Sequence, residues 1–231
     1  MTKIFVDAAD LDEVIKLLKK DYIAGITTNP TLMRRSGVSN FEIFSKAVIA
    51  QTSLPISLEV FSDNLDEMYK QAEIISSWGK NVYVKIPITN SKGISTTSII
   101  KKLCAKKIKI NVTAVLSKNQ IDQVFDVLDT RVDSILSIFA GRIADTGRDP
   151  QEFIKYALEK KVAQSKCKIL WASTREIFNL YEAIKINCDI ITIPPNLLSK
   201  LNMKDKDLEE LSLETVNMFY QDALKTKYKI S

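Results

Sequence analysis

Histidine is absent from the 231 residues. This removes Ser-His-Asp and Cys-His nucleophilic catalysis. It also removes the His-ligated metals of zinc hydrolases and metal-dependent aldolases. Proton transfer in an enzyme made from this chain falls to carboxylates, lysine, tyrosine or water. Cysteine is scarce: Cys104, Cys167 and Cys188 are odd in number, far apart and without C-x-x-C spacing. That argues against a disulfide framework and for a reducing compartment; Cys104 and Cys188, in apolar surroundings, read as core. Glycine is sparse too, with six residues, and neither G-x-G-x-x-G nor G-x-x-x-x-G-K-[ST] occurs, so both nucleotide-binding fingerprints are missing. No run approaches the roughly 20 apolar residues that span a bilayer. The opening MTKIFVDAAD carries no apolar leader core, and the expectation is a cytoplasmic protein without membrane attachment. The net charge of +5 is dispersed. Lys19-Lys20, Arg34-Arg35 and Lys160-Lys161 are isolated pairs that read as solvated helix faces, and no concentrated basic face suggests nucleic acid.

What is present is a regular alternation. Eight short Val/Ile-rich runs lie at Ile4–Val6, Ile23–Ile26, Ile56–Val60, Val82–Ile86, Ile108–Val112, Ser134–Phe139, Ile169–Ala172 and Ile190–Ile193, as buried parallel strands require. Between them, amphipathic stretches predict helices over Leu11–Lys20 (with Asp10 as N-cap), Phe41–Ala50, Leu65–Trp78, Thr97–Ala105, Asn119–Leu128, Pro150–Val162 and Arg175–Ile184, with a longer one over Lys206–Tyr228. Eight β-α units in a chain near the roughly 250 residues typical of the fold predict closure into a (β/α)₈ barrel. Neither a linker nor a low-complexity stretch interrupts residues 1–231, which read as one domain with a C-terminal helical extension.

In such a barrel the active site forms at the C-terminal strand ends. Read there, the sequence gives Asp7, Thr27 with Asn29, Glu59, Lys85, Asn111 with Thr113, Ser137 with Phe139 and then Arg142, Ser173 with Arg175, and Thr192. Members of each pair are two apart and share a face. Lys85 is the most informative, because Val-Tyr-Val-Lys-Ile-Pro places an ammonium inside an apolar strand. Two readings stay open on the residues alone. Either Lys85 is a structural partner of Glu59 or Asp7, or burial favours its neutral amine for attack on a carbonyl. Asp7 could instead cap the first helix, though Asp10 is better placed. Arg142 and Arg175 suit an anion clamp, unless Arg142 is a loop residue paired with Asp145 or Asp149.

IFVDAADLDEV, GITTNPTLM, VYVKIPIT, INVTAVLS, SIFAGRIAD and WASTR, in that order along nearly the whole chain, resemble the transaldolase family. The likeness is to its short bacterial and archaeal branch, which includes fructose-6-phosphate aldolase. The resemblance implies a (β/α)₈ barrel and class I chemistry without a metal or an organic cofactor. Lys85 would form the imine with a ketose donor, and Asp7 would be the base on the C4 hydroxyl. Glu59 and Thr113 would hold a proton-shuttling water. Asn29, Asn111 and Ser137 would orient the dihydroxyacetone unit; Arg142, Ser173 and Arg175 would bind phosphate.

Fructose-6-phosphate aldolase resembles this chain but has Gln where Glu59 stands and Tyr where Phe139 stands. The Glu59-Phe139 combination therefore looks like a transaldolase. It implies transfer from sedoheptulose 7-phosphate or fructose 6-phosphate to glyceraldehyde 3-phosphate or erythrose 4-phosphate, in the pentose phosphate pathway. Ala8 departs from the usual Thr or Ser, and Trp171 from a usual small residue; at the parity of Ser173 it would pack inside the barrel. The arginines would also accept a sulfonate. Alternatives are an aldolase that releases free dihydroxyacetone, an enzyme of a sulfonated or modified sugar, and a non-catalytic sugar-phosphate-binding barrel. The resemblance further implies a homo-oligomer, a pentamer or decamer, with the C-terminal helix on a neighbour.

Overall fold

Each of the eight apolar runs becomes a parallel strand: β1 (Lys3–Asp7), β2 (Ile23–Thr27), β3 (Ile56–Glu59), β4 (Val82–Pro87), β5 (Ile110–Val115), β6 (Ser134–Ile138), β7 (Cys167–Trp171) and β8 (Ile190–Ile193). In the computed structural model, which describes residues 1–226, every strand pairs with its sequence neighbours and β8 returns to β1. The result is a closed (β/α)₈ barrel. The helices are α1 (Leu11–Leu18), α2 (Pro30–Arg35), α3 (Phe41–Gln51), α4 (Leu65–Ser76), α5 (Thr97–Ala105), α6 (Lys118–Phe125), α7 (Ala140–Ala144), α8 (Gln151–Lys160), α9 (Phe178–Lys185), α10 (Pro195–Leu198) and α11 (Leu208–Thr226).

Local chemistry sets the helix starts. Asp10, Asn40, Asn64 and Ser117 each accept the backbone N–H three residues on, satisfying a donor that the first turn leaves free. Asp10, not Asp7, caps α1. The strand expected from Ile108 begins at Ile110 instead. Lys107 has a left-handed φ of 59°, and Ile108 donates its N–H back to the Leu103 carbonyl at 3.1 Å, so the stop of α5 consumes Ile108. Three short helices, α2, α7 and α10, are not among the helices delimited from the sequence.

The barrel interior is filled by Phe5, Ile135, Leu170, Ala172 and Ile190. Leu170 and Ala172 face inward, so the period of two turns Trp171 to the helix-facing side. The expectation that Trp171 packs inside the barrel is therefore corrected. It is fully buried at a position one out of phase. All three cysteines are buried and free. Burial pushes the Cys167 thiol up to about 11 and the Cys188 thiol up to about 12, which keeps both protonated and unreactive.

Met1–Leu198 form one compact unit, and the described residues from Ser199 on form a second. Within the second, a 3₁₀ turn at Ser199–Met203 precedes α11, whose start is held by Asp207 accepting from the Glu209 and Glu210 backbone N–H groups. The helix expected over Lys206–Tyr228 thus begins two residues later, and its last two residues lie outside the described ones. Among the described residues, no helix is long and apolar enough to cross a membrane, and no group of three or more His, Cys, Asp or Glu side chains could hold a metal ion.

Candidate active site

The C-terminal strand ends surround a cavity of about 460 Å³, within the range of roughly 300–1,000 Å³ typical of ligand sites. Its wall includes Asp7, Asn29, Glu59, Lys85, Thr113 and Ser137, and on the other side Phe139, Arg142, Ser173 and Arg175. Of the residues singled out in the sequence, only Asn111 is not on the wall. It is fully buried beneath it, where its amide donates to Ser57 Oγ at 3.0 Å and accepts from Ser137 Oγ at 2.7 Å.

Register explains the central pair. Glu59 on β3 is the Cα partner of Lys85 on β4, and paired residues in a parallel sheet point the same way. Lys85 Nζ lies 3.2 Å from Glu59 Oε2 and donates to the Thr28 carbonyl at 2.9 Å. The residue is only 6% exposed. The salt bridge of the structural reading is thus present, and it sits on the wall of the cavity.

Asp7 faces the same space from β1. It accepts from Thr27 Oγ1 at 3.0 Å, and Thr27 Oγ1 in turn lies 2.6 Å from Thr192 Oγ1. Burial holds the Asp7 carboxyl above its ordinary value of 3.8, and the neighbouring Glu59 adds to this. Lys85 and the hydrogen bonds from Thr27 and Asn29 oppose the rise but do not cancel it. Asp7 and Glu59 are therefore two carboxylates beside one amine in different surroundings. The Thr113 hydroxyl is buried and without a hydrogen-bond partner among the described residues, which leaves it available to substrate or solvent. Its neighbour Ala114 has φ 59°, in the stretch where the β5–β6 register slips between Val112 and Val115. A left-handed alanine costs about 1–2 kcal/mol, strain of the kind that collects at functional sites.

The far wall is cationic. Arg142 lies over the Phe139 ring, 5.7 Å from its centroid, and is not paired with Asp145 or Asp149. Asp145 instead holds Arg175, with Nε donating to Oδ1 at 3.2 Å and Nη2 bonded to Oδ2. Gly141 makes this corner possible. A Cβ there would fall 1.7 Å from the Ser173 carbonyl oxygen and 3.0 Å from Arg175 Cγ. Ser173 itself has φ 63°, so β7 ends in a kink that breaks the strand alternation.

Sequence reasoning missed Arg35, which lines the cavity with Thr31 and Leu32. Arg34-Arg35 had read as a solvated pair. The signal was Asn29-Pro30, an N-cap followed by proline at the first helical position. Recognising α2 there puts Thr31 and Arg35 on one face, four residues apart.

The family model "Transaldolase/Fructose-6-phosphate aldolase" matches residues 4–230. The chain belongs to the transaldolase/fructose-6-phosphate aldolase family. It is 33% identical to a "Probable transaldolase" of Maridesulfovibrio salexigens, over 85% of this chain and 88% of that protein. It is 34% identical to "Probable transaldolase 2" of Listeria monocytogenes, over 90% and 93%. A "Probable transaldolase" of Brucella ovis is 31% identical over 99% of this chain and all of its own length. Among solved structures, N-acetylneuraminate lyase from Mycoplasma synoviae superposes with a TM-score of 0.55 at 12% identity, over 96% of this chain and 82% of that one; this shows the barrel fold alone. Membership in the transaldolase family makes the protein an enzyme of the aldolase and transaldolase class.

Proposed function

We propose that the protein is a transaldolase that carries a dihydroxyacetone unit on Lys85 from a phosphorylated ketose to a phosphorylated aldose. The observation that carries this reading is a buried lysine on a cavity wall, in contact with one carboxylate and facing another. Lys85 Nζ adds to the donor C2 carbonyl to give a carbinolamine, which loses water to the protonated imine. The ionised Asp7 takes the C4 hydroxyl proton. The C3–C4 electron pair moves into the iminium, leaving an enamine on Lys85 and releasing the shortened aldose. The enamine C3 then adds to the acceptor aldehyde, Asp7 returns the proton, and hydrolysis frees the new ketose.

Glu59, in contact with the amine, and Thr113, on the same cavity wall, exchange protons with water during imine formation and hydrolysis. Ser137 and Asn29 reach the three-carbon unit, with Asn111 fixing Ser137 from below. Arg142, Arg175 and Ser173 bind the phosphate, and Arg35 brings a third guanidinium to the same cavity. Phe139 offers no phenol to protonate the enamine, which favours transfer over release. On α11, Leu213, Val216, Tyr220 and Leu224 are exposed at spacings that share a helix face, which supports a homo-oligomer.

Borohydride reduction in the presence of fructose 6-phosphate tests the mechanism. A covalent adduct on the peptide containing Lys85 is expected; an adduct elsewhere, or none, refutes it. Running donor with and without erythrose 4-phosphate separates transfer from release of free dihydroxyacetone. A sulfonated donor in the same assay tests the sulfosugar alternative.

A further inference from the structure

The barrel has a second opening at the N-terminal ends of its strands, on the side opposite Lys85. A cavity of about 500 Å³ lies there. Its apolar surface comes from Ala24, Leu54, Pro55 and the half-buried Tyr83 ring, over the buried side chains of Phe5, Ile135 and Ile190. Phe5 forms the floor. Its ring lies so close over Gly25 that a Cβ there would stand 2.5 Å from Phe5 Cζ. Together with Ile135, Leu170 and Ile190 it separates this cavity from the sugar site above.

The rim is charged. Asp189 is already occupied: it accepts from Lys161 Nζ at 2.8 Å and from the Ile169 backbone N–H at 2.8 Å, with Lys168 at 3.9 Å. Asp133 faces Lys109 at 3.8 Å. Lys3 and Lys166 also line the cavity, and among the described residues no ion pair involves either. The opening therefore holds two lysine ammonium groups without an ion-pair partner, beside the amino group of Met1, over an aromatic and aliphatic floor. The Tyr83 phenol, pushed up to about 12 by burial and by Asp133, stays protonated beside them as a neutral donor.

Such a site matches a ligand with an apolar body and one anionic end. A sugar phosphate fits poorly, since its hydroxyls would lose water against Phe5, Ile135 and Ile190 without gaining partners. We propose that the lower cavity is a second ligand site, for a small aromatic carboxylate. The ring rests against Ala24, Pro55 and Tyr83 above Phe5, and the carboxylate meets Lys3 and Lys166. The size is ordinary for a small-molecule site.

Isothermal titration with 2-naphthoate tests this without reference to catalysis. Saturable binding of one molecule per chain is expected, undisturbed by saturating fructose 6-phosphate. The Lys3→Glu/Lys166→Glu variant changes only exposed side chains and is expected to bind roughly tenfold more weakly or worse. The neutral analogue 2-naphthol should also bind more weakly to the unmodified protein. Circular dichroism and activity of the variant establish that it is folded. The proposal is overturned by absence of saturable binding, by binding that survives the charge reversal in a folded variant, or by displacement with fructose 6-phosphate.

Discussion

Lys85 and Glu59 stand at the same level of adjacent strands, with 3.2 Å between Nζ and Oε2, and both face the cavity. Removing the acid alone leaves Asp7 as the remaining carboxylate beside the buried cation, at a cost below the roughly 3–5 kcal/mol of a wholly unpaired buried charge. Glu59→Gln keeps the shape and a hydrogen-bond acceptor but loses the charge and the proton carrier. We expect kcat to fall by about 10²-fold, with slower imine formation. Timed borohydride trapping checks this; an unchanged trapping rate would show that Glu59 serves only to pair with Lys85.

Asp7 carries a signature in both activity and stability. As the base of the proposed mechanism Asp7 must be ionised, and its raised carboxyl then places the acid limb of the kcat/KM profile above the ordinary 3.8. For a carboxyl raised by folding, the unfolded chain ionises first as pH rises. Stability is therefore lost from about 3.8 up through the folded value. Asp7→Asn removes that loss. The variant should be inactive yet melt higher than the parent at neutral pH, with the gap closing as pH falls toward 3. Thermal melts across pH measure it, and a gap independent of pH would count against the assignment.

Asp145 holds Arg175, so in the proposed phosphate-binding role it competes with substrate for that guanidinium. Both side chains are about half exposed, at 53% and 50%, so the pair itself adds little stability, on the order of 0–1 kcal/mol. Asp145→Asn should leave the melting temperature within a degree or two and lower KM for a phosphorylated donor. Arg175→Lys should raise KM because the fork of donors is lost. Steady-state kinetics on one donor decides both.

Gly141→Ala should be costly although the position lies outside the chemistry. The new methyl would overlap the Ser173 carbonyl, and both Ser173 and Arg175 must move. We expect kcat/KM to drop by about 10²-fold with a smaller effect on Lys85 trapping, which is measured on the opposite wall. Equal losses in both would mean that the barrel itself has been disturbed.

Phe139→Tyr asks whether transfer depends on the missing phenol. We expect free dihydroxyacetone to accumulate from fructose 6-phosphate without acceptor, and no such increase in Phe139→Leu. Coupled reduction of dihydroxyacetone reads the difference.

The barrel and most of its polar mouth were legible because the period-two pattern and the strand ends are local properties. Asp7, Glu59 and Lys85 stood out as charges among Val and Ile. Arg35 does not, because its helix is only six residues long and a pair of adjacent arginines reads as a solvated face. Trp171 was misplaced because parity was counted back from Ser173, across a left-handed kink that no residue type announces. The Arg175–Asp145 pair joins two separate loops, so only the folded chain could assign Asp145 to Arg175 in preference to Arg142.

Closure of β8 onto β1 also bears on association. Each strand is bonded on both sides, so the barrel offers no row of free N–H and C=O groups to another chain. Before closure the opposite holds. Segments such as Ile190–Ile193 are short, apolar and uncharged, the composition that favours intermolecular strand stacking. The β2–β3 and β7–β8 seams are the shortest, with Ile26 and Thr27 meeting Ile56 and Ser57, and Leu170 and Trp171 meeting Ile190 and Ile191. Aggregation is thus a hazard of the time before the last strand docks, and it should track refolding rate and chain concentration more closely than native stability.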